Sequence, residues 1–476
     1  MRVSRRALML SAGTTALGTA LPLRRSFAET EIKKYGLIAK PAVVNLTGDG
    51  HPDTAVWTYD GTVPGPEFRV RQGDPLRLVV SNNLGEDTTV HWHGIRLPNA
   101  MDGVPGLTQP PIRPGESFTY DFTPPDAGTF WYHPHADTLQ QLGRGLAGAL
   151  IVEERQSIAV DRELLWFIED WRLDDDGRIS PGFGNRMEAG MSGRVGNTVT
   201  VNGRVPDRAS VKAGERVRLR IVNAALARIV SLRFEGHRPV VVAYDGQPCE
   251  PHVSEGGRLV LGPAMRADLI IDMDGKPGQS YRVIDDFYQD LAYKLVDLAY
   301  GPGKPIREHA RDAPARLPTN PLPEPDLTTA ERHDIALQGG MMGGIGMMSG
   351  GGMMGGMPMM GVMGDAVWTI NGTSMTGDGQ PNMPPLLTLR RGKSCVLLLR
   401  NETAWWHPMH LHGHSFRVIS RNGRSNPRRE WRDTVLVPPR ETVEVAFVAN
   451  NPGNWMFHCH VTDHQMAGMM AVLGVA

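Results

Sequence analysis

The stretch YDGTVPGPEFRVRQGDPLRLVVSNNL, residues 59–84, decides the fold that this sequence predicts. An Asp-Gly turn leads into a β-rich run, a Gly-centred turn follows, and an alternating strand ends in asparagine. The same order of features returns in VNGRVPDRASVKAGERVRLRIVNAAL, residues 201–226. It returns again in INGTSM, residues 370–375, and, after a short insertion, PPLLTLRRGKSCVLLLRNET, residues 384–403. One pattern therefore occurs three times in the chain.

The spacing of the three copies predicts three domains rather than a solenoid. The copies begin at residues 59, 201 and 370, and these intervals suit whole domains and exceed the length of solenoid repeats. Short strands separated by Gly, Pro and Asn turns are typical of β-sandwiches. We therefore predict an all-β protein with sandwich domains at residues 35–155, 160–300 and 365–476, and a Pro-rich linker with a Met-rich segment at residues 301–364.

The N-terminal segment has the features of an export signal. Arg5 and Arg6 form a twin-arginine pair before an apolar run, and Ser26, Phe27 and Ala28 fit a cleavage site. We expect residues 1–28 to be removed and the folded protein to reach the periplasm by the twin-arginine route. The rest of the sequence predicts no transmembrane segment, and its net charge of −1 does not favour nucleic acid as a partner.

Histidine pairs are far more frequent than random placement predicts. Sixteen histidines in 476 residues predict roughly 0.5 His-x-His pairs by chance. The chain has five such pairs, His91/His93, His133/His135, His410/His412, His412/His414 and His458/His460. Successive side chains of a β-strand point to opposite faces, so both imidazoles of a pair share one face. We predict that four such strands converge on one metal-binding centre.

The HCH motif at residues 458–460 predicts a second metal site. Because Cys459 alternates with the histidines on either side, it points away from the histidine centre. The candidate partners of its thiolate are His407, His464 and Met469. A thiolate, two imidazoles and a weak thioether form the ligand set of a blue copper site. Structural zinc, by contrast, prefers a closed set of four ligands, and this chain offers many more.

The motifs HWHG, HPH, HPMHLHGH and HCHVTDHQMAGMM occur in the order found in one known family. From about residue 35 to residue 476 the chain resembles the bacterial three-domain multicopper oxidases, which include laccase-like enzymes and periplasmic copper-efflux oxidases. The resemblance implies three consecutive cupredoxin-like Greek-key domains and four copper ions: one type 1, one type 2 and two type 3. It implies type 1 ligands His407, Cys459, His464 and Met469, type 2 ligands His91 and His410, and type 3 ligands His93, His133, His135, His412, His458 and His460. It gives no ligand role to His51, His237, His252, His309, His333 and His414, and the middle unit is expected to act as a spacer without copper ligands.

The resemblance also implies a reaction. A reductant would give single electrons to the type 1 copper, and the other three coppers would reduce O₂ to water. Cu(I) and small aromatic reductants, such as phenols and aromatic amines, are the candidate substrates, with copper tolerance as a role and a monomer as the expected state. Two alternatives stay open: a laccase with an organic physiological substrate, and a periplasmic protein that sequesters copper without redox turnover.

Two departures from the family pattern bear on protons and substrate. Asp102 matches a carboxylate that supplies protons to the cluster, but Gln465 stands where a second carboxylate commonly follows the type 1 histidine, and an amide does not relay a proton in the same way. Asp463 is the candidate that compensates. Copper-efflux oxidases also place an Asp and a Met before the HPxH motif, where this chain has Thr403 and Trp405, with Glu402 as the nearest substitute.

A methionine-rich run precedes the third copy of the repeat. Thioethers are soft ligands that favour Cu(I), and efflux oxidases carry a Met-rich insert at this place. We expect the run to capture Cu(I) near the type 1 site, although a flexible linker whose methionines scavenge oxidants is the alternative. Its ten methionines are Met341, Met342, Met347, Met348, Met353, Met354, Met357, Met359, Met360 and Met363.

Overall fold

The structure is a computed structural model that describes residues 32–307, 312, 316–341, 367–377 and 383–476. The predicted export signal lies outside the described residues. Of the ten methionines in the Met-rich run, Met341 alone lies within them. No helix in the described ranges combines the length and the apolar character needed to cross a bilayer.

The first part of the chain forms two four-stranded sheets, one with the order β2-β1-β4-β6 and the other β3-β8-β7-β5. A short helix, α1 (Thr138–Gly143), lies between the last two strands. The strands are β1 (Lys33–Val44), β2 (Thr54–Tyr59), β3 (Gly65–Arg71), β4 (Leu76–Asn82), β5 (His91–His93), β6 (Ser117–Phe122), β7 (Gly128–His133) and β8 (Gly148–Glu153).

The middle part forms a six-stranded sheet, β10-β9-β12-β17-β14-β15, and a five-stranded sheet, β11-β19-β18-β13-β16. One helical turn, α2 (Arg186–Ala189), follows the first of its strands. The strands are β9 (Arg162–Trp171), β10 (Thr198–Val201), β11 (Arg208–Val211), β12 (Arg216–Asn223), β13 (Val230–Phe234), β14 (Val240–Tyr244), β15 (Gln247–Val253), β16 (Arg258–Leu261), β17 (Arg266–Asp272), β18 (Ser280–Asp285) and β19 (Tyr293–Tyr300).

The last part forms a seven-stranded sheet, with β21-β20-β23-β29-β25-β26 in order and β27 beside β25, and a five-stranded sheet, β22-β31-β30-β24-β28. Helix α3 (Thr462–Met466) follows β30. The strands are β20 (Glu331–Gly339), β21 (Trp368–Ile370), β22 (Leu387–Leu389), β23 (Ser394–Asn401), β24 (His407–Leu411), β25 (Phe416–Arg421), β26 (Arg424–Ser425), β27 (Trp431–Arg432), β28 (Thr434–Val437), β29 (Thr442–Val448), β30 (Gly453–Cys459) and β31 (Met470–Val475). The all-β prediction is confirmed.

The turn that opens each copy of the repeat has the same role in all three parts. Asp60, Asn202 and Asn371 adopt positive φ angles of 57°, 53° and 50°, a conformation that Asp and Asn tolerate better than most residues. Each side-chain oxygen accepts a backbone N–H bond from a preceding strand, at 2.8, 2.8 and 2.6 Å respectively. The turn therefore ties the end of one strand to the strand beside it.

The asparagine that ends each repeat fastens the next loop. Asn82, Asn223 and Asn401 are buried, and each amide nitrogen donates to at least two backbone carbonyls. Each side-chain oxygen also accepts the N–H of the residue two positions later. A buried amide is stable only when its polar atoms are bonded, and here those bonds fix the loop that follows the strand.

The largest hydrophobic cluster contains side chains from the first and the last parts of the chain, including Trp92, Tyr132, Trp368 and Trp455. A second cluster fills the middle part and reaches Leu436 of the last part. The first and last sandwiches therefore share a packed interior, which is where the histidine motifs lie.

Cys249 and Cys395, which the sequence alone leaves either paired or as two lone thiols, are both free. Burial raises the pKa of Cys249 to about 12 and that of Cys395 to about 11. Both therefore stay as thiols at neutral pH, in the role of small apolar side chains.

Candidate metal centre

Two antiparallel strand pairs bring the four His-x-His motifs together. In the first part, β5 pairs with β7 and places His91 opposite His133. In the last part, β24 pairs with β30 and places His410 opposite His458. All eight histidines of the four motifs are at most 1 % exposed. The convergence expected from the sequence is therefore present as a closed, buried cluster.

Three of the four motifs do not lie wholly within strands. His91 and His93 are both in β5, but β7 ends at His133, β24 at Leu411 and β30 at Cys459. The expectation of four complete strands is corrected on this point. In the HPH motif the residue after His133 is a proline, which cannot donate to a sheet ladder. The second histidine of each of these pairs therefore lies just past the strand end.

Six of the histidines form two triads. The ligand nitrogens of His93, His133 and His460 lie within 4.8 Å of one another, and so do those of His135, His412 and His458. The ring nitrogens Nε2 of His412 and His458 are 3.1 Å apart. Each triad takes two histidines from one end of the chain and one from the other, which joins the first and last sandwiches.

The two histidines predicted for the type 2 copper lie beside these triads. His91 stacks on His412 with a ring-centroid distance of 3.8 Å, and His410 stacks on His93 at 3.7 Å. The rings of His91 and His410 have centroids 5.8 Å apart. Their ligand atoms and that of His93 lie within 4.8 Å of one another. The structure thus places all eight histidines predicted for the three-copper cluster around one centre.

Among the described residues, six of the eight rings make a hydrogen bond on the side away from the centre, whereas the rings of His135 and His460 make none. His91 Nδ1 donates to the carbonyl of Asp102 at 2.8 Å, and His412 Nδ1 donates to the carboxylate of Asp102 at 2.8 Å. The carbonyls of Pro134 and Cys459 accept in the same way from His133 and His458, both at 3.0 Å. A bond on one ring nitrogen fixes the tautomer and leaves the other nitrogen as a lone-pair donor.

The ring nitrogens that face the centre of the cluster are available to bind metal. Within the described ranges, the buried ring atoms without a hydrogen-bond partner include His91 Nε2, His93 Nδ1, His133 Nε2 and His410 Nε2. Buried polar atoms are normally bonded, so a row of unbonded imidazole nitrogens facing one space requires a ligand. Neutral imidazoles are ligands for copper, and the cluster fits such ions.

Electrostatics favour the neutral form of these rings. Burial, followed by the like charge that neighbouring histidines would carry, lowers the pKa of His93, His135 and His412 well below its ordinary value. Burial likewise lowers the pKa of His133, His458 and His460. Metal binding requires deprotonated ligands, so the cluster is prepared for metal without a cost in proton release.

The second site surrounds Cys459. Its Sγ lies 3.6 Å from the Nδ1 atoms of both His407 and His464, and these two nitrogens are 3.2 Å apart. All three side chains are fully buried. Burial lowers the pKa of His464 to about 3 and raises the pKa of the Cys459 thiol. A bound cation overcomes that preference for the thiol and holds the thiolate.

Met469, the predicted axial ligand, is joined to this site by backbone hydrogen bonds to Cys459 and His464. Its carbonyl accepts the N–H of Cys459 at 3.0 Å, and its own N–H donates to the carbonyl of His464 at 2.9 Å. The side chain is fully buried and belongs to the same hydrophobic cluster as Cys459. The tight loop from β30 through α3 to β31 therefore gathers three of the four predicted ligands.

Two residues that hold the type 1 histidines in place are not predicted by the sequence to do so. Thr403 Oγ1 lies 2.8 Å from His407 Nε2, and the main-chain oxygen of Met191 accepts from His464 Nε2 at 2.8 Å. These bonds leave the Nδ1 atom of each histidine free for metal. The chain position of Thr403 marks it only as the place where efflux oxidases carry an acid, and Met191 belongs to a part of the chain without predicted ligands.

Asp433 is the other residue that sequence reasoning missed. Its main-chain oxygen accepts from His410 Nδ1 at 2.9 Å, and its Oδ1 atom lies 3.2 Å from His93 Nε2. Burial works against its charge, but the guanidinium of Arg266 and the hydrogen bond with His410 together outweigh burial and hold the pKa of Asp433 below its ordinary value. A single aspartate after a short strand gives no pattern that predicts such a role.

The three residues predicted to serve in proton supply have different surroundings. Asp102 contacts His91 and His412 and is 1 % exposed. Asp463 is equally buried, and its Oδ2 atom accepts the N–H of Arg194 from the middle part at 2.8 Å. The Gln465 amide is buried without a hydrogen-bond partner among the described residues. Of these three residues, Asp102 is therefore the one in direct contact with cluster ligands.

Histidines without a predicted ligand role lie outside these groups. Within the described ranges, no candidate metal group includes His51, His237, His252, His333 or His414. His414 is the nearest in sequence, and its ring packs edge-on against Trp455 while Nδ1 donates to the carbonyl of His412 at 3.2 Å. His309 lies outside the described residues.

Among the described residues, the all-β fold, the buried Cys-His site and the buried eight-histidine cluster together form the arrangement expected of a copper redox protein. Comparison with known proteins agrees: family models described as multicopper oxidase match residues 42–157, 163–296 and 357–476. The multicopper oxidase MmcO of Mycobacterium tuberculosis is 31% identical over 91% of this chain and 85% of its own. This chain belongs to the multicopper oxidase family.

Solved structures are similar over nearly the whole chain. A multicopper oxidase from Pseudomonas thermotolerans has 37% identity and a TM-score of 0.81, covering 94% of this chain and 100% of its own. A multicopper oxidase from Campylobacter jejuni, described as a metallo-oxidase, has 28% identity and a TM-score of 0.75, covering 95% and 93%. The prediction of cupredoxin-like domains is confirmed.

Membership fixes the general chemistry. The protein is a copper-dependent oxidoreductase that uses O₂ as acceptor, and four copper ions of types 1, 2 and 3 are its cofactors. Copper supplies the one-electron steps when bound. The chain itself orients six of the eight cluster imidazoles through an outer hydrogen bond, excludes bulk water by burying every predicted ligand, and places the Asp102 carboxylate beside two ligands.

Proposed function

We propose that this protein oxidises Cu(I) at the type 1 site and passes the electrons to the histidine cluster, where O₂ is reduced to water. Four Cu(I) ions become four Cu(II) ions, and O₂ takes up four electrons and four protons to give two water molecules. The role is copper tolerance, in a protein exported to the periplasm. The match to a bacterial metallo-oxidase supports this substrate class.

The observation that carries the proposal is the position of Met341, the first residue of the Met-rich run. Its N–H donates to the carbonyl of Gly190 at 2.7 Å, and its carbonyl accepts the indole N–H of Trp405 at 3.0 Å. Gly190 precedes Met191, whose carbonyl is bonded to the type 1 ligand His464. The first residue of the run is therefore bonded to the residue next to the one that holds His464.

The side chain of Met341 also packs closely against Gly190. A Cβ atom added at Gly190 would lie 2.9 Å from Met341 Cγ and 3.0 Å from its sulfur, so glycine is what lets the thioether pack there. Trp405 stands where efflux oxidases carry a methionine, and it fixes the backbone of Met341 rather than binding an ion. A soft Cu(I) ligand is thus supplied by the run itself.

Removing the thioethers of the run tests this proposal. One variant lacks residues 342–363 but keeps Met341, and a matched variant keeps the length and replaces all ten methionines of the run, including Met341, by leucine, which retains apolar volume without sulfur. We expect both to raise the KM for Cu(I) severalfold in O₂-uptake assays, and to leave turnover of a phenylenediamine unchanged.

The alternatives give different outcomes in the same assays. Unchanged Cu(I) kinetics in both variants would exclude capture by the run and favour a laccase with an organic substrate, a class represented among the relatives by a laccase of Botryotinia fuckeliana at 27% identity. Absence of O₂ uptake with either reductant, in the fully copper-loaded protein, would favour copper sequestration.

A further inference from the structure

One buried arginine of the middle part touches the trinuclear cluster region from outside. Arg266, in β17, is fully buried. Its Nη1 and Nη2 atoms donate to the two carboxylate oxygens of Asp433 at 2.8 and 2.6 Å. Its Nε atom donates to the carbonyl of Thr129 at 3.2 Å. A single guanidinium therefore joins all three parts of the chain.

Asp433, held by Arg266, in turn forms hydrogen bonds to two histidines of the cluster. Its Oδ1 atom accepts from His93 Nε2, and its main-chain oxygen accepts from His410 Nδ1. The two rings stack with their planes 19° apart. The bonds leave Nδ1 of His93 and Nε2 of His410 without partners, so the same aspartate selects opposite nitrogens on two neighbouring rings.

We propose that Arg266 is a positioning residue of the trinuclear copper cluster, acting through Asp433 on His93 and His410. The inference goes beyond the proposed substrate, because it concerns the cluster and not the type 1 site. It also gives the middle part, which holds no predicted ligand, a direct part in building the metal centre.

The glycine of the HWHG motif provides independent support. Gly94 has a φ of +85°, and a Cβ atom there would overlap both Arg266 Nη2 and Asp433 Oδ2. Any larger residue would therefore push the ion pair away from the adjacent His93. The motif glycine is thus required for close approach of the pair as well as for the turn.

The chemistry of the pair favours arginine specifically. A planar guanidinium binds both carboxylate oxygens at once, which fixes the plane of the carboxylate as well as its distance. Lysine supplies the same charge without that fork. Outer hydrogen-bond partners of metal ligands commonly change metal affinity or activity by about 10- to 100-fold when they are mutated, which sets the size of effect expected here.

The test compares two conservative variants of the copper-loaded protein, Arg266→Lys and Arg218→Lys. Arg218 is a matched control, because it is equally buried, lies in the neighbouring strand β12 and binds Glu154 and Asp268. Copper per protein is measured after dialysis against a graded chelator, together with the type 2 electron paramagnetic resonance signal and the blue type 1 absorption.

We expect Arg266→Lys to lose cluster copper at about 10- to 100-fold lower chelator concentration and to change the type 2 signal, while the blue absorption stays. Arg218→Lys is expected to keep all three properties. Identical chelator resistance and type 2 signals in the two variants would overturn the proposal. If Arg266→Lys does not fold, Asp433→Asn, which preserves side-chain volume, is measured instead, and an unchanged type 2 signal there would equally overturn it.

Discussion

The imidazole of His464 donates a hydrogen bond from Nε2 to the main-chain oxygen of Met191, over 2.8 Å. Met191 belongs to the middle part of the chain, and His464 is a predicted type 1 ligand of the last part. Because the acceptor is a backbone atom, no side-chain substitution at Met191 removes it. The middle part therefore contributes to both metal sites, here through a carbonyl and at the cluster through Arg266.

Substitution of Cys459→Ser is expected to abolish the blue absorption completely, because the intense colour belongs to the copper–thiolate bond. The cluster histidines on either side face the other way, so cluster copper is expected to load. Visible absorption and copper analysis check this, with Cys395→Ser, another buried thiol, as the matched control. Full colour in the Cys459 variant would contradict the type 1 assignment.

Substitution of Met469→Leu is expected to raise the type 1 reduction potential and to keep the blue colour, since a weak axial thioether tunes the potential without forming the thiolate bond. The control is Met470→Leu. Met470 is also fully buried, but it packs against Val104 and Met456 in a separate cluster. Redox titration followed by absorption measures both, and equal potentials in the two variants would count against axial ligation.

Substitution of Asp102→Asn is expected to slow O₂ reduction by about 10- to 100-fold, because the carboxylate orients His412 and lies in contact with the cluster. Reduction of the type 1 copper by substrate is expected to stay at its normal rate. Asp126→Asn serves as the control, since Asp126 is equally buried but pairs with Arg96. Stopped-flow measurements separate the two steps, and a uniform loss in both variants would argue for a general loss of stability.

Two glutamates of β9 are expected to shift stability with pH in opposite directions. Burial, followed by the charge of Asp170, raises the pKa of Glu169, so the folded state binds its proton more tightly than the unfolded chain and loses stability as pH rises above the unfolded pKa. Glu169→Gln is expected to stabilise the protein at neutral pH by on the order of 1 kcal/mol and to have no such effect in acid.

Glu163 provides the opposite case. Burial works against its charge, but bonds from Arg220 and Arg69 outweigh it and lower its pKa, so its contribution to stability is present above the unfolded pKa and is lost as pH falls through the folded pKa. Glu163→Gln is expected to destabilise the protein at neutral pH. Thermal unfolding of copper-free protein between pH 4 and 8 measures both, and a shift of the same sign in the two variants would contradict the argument.

The sequence predicts the fold and the ligand side chains well because both depend on local spacing. The two-residue alternation of a strand places His91 and His93 on one face and sets Cys459 apart from its neighbours. The repeated Asn at positions 82, 223 and 401 marks the end of the same strand in each sandwich. Such patterns can be recognised from a few neighbouring residues.

The residues that hydrogen-bond to these ligand side chains cannot be predicted from local sequence patterns. Arg266 and Asp433 are separated by 167 residues, and His93 and Asp433 by 340. Nothing local distinguishes Asp433 from a surface acid, since its role arises only when three parts of the chain pack together. The alternation of side chains also does not predict the strand ends at His133 and Cys459, because it carries no information on where the backbone hydrogen bonds between strands stop.

Each histidine triad combines residues from the two ends of the polypeptide, and its final members are contributed by residues 458 and 460. A ribosome that stalls early, or a protease that removes the last strands, therefore leaves a molecule with an incomplete oxygen-reducing centre. Such a molecule also lacks Cys459 and His464, so both metal sites are incomplete.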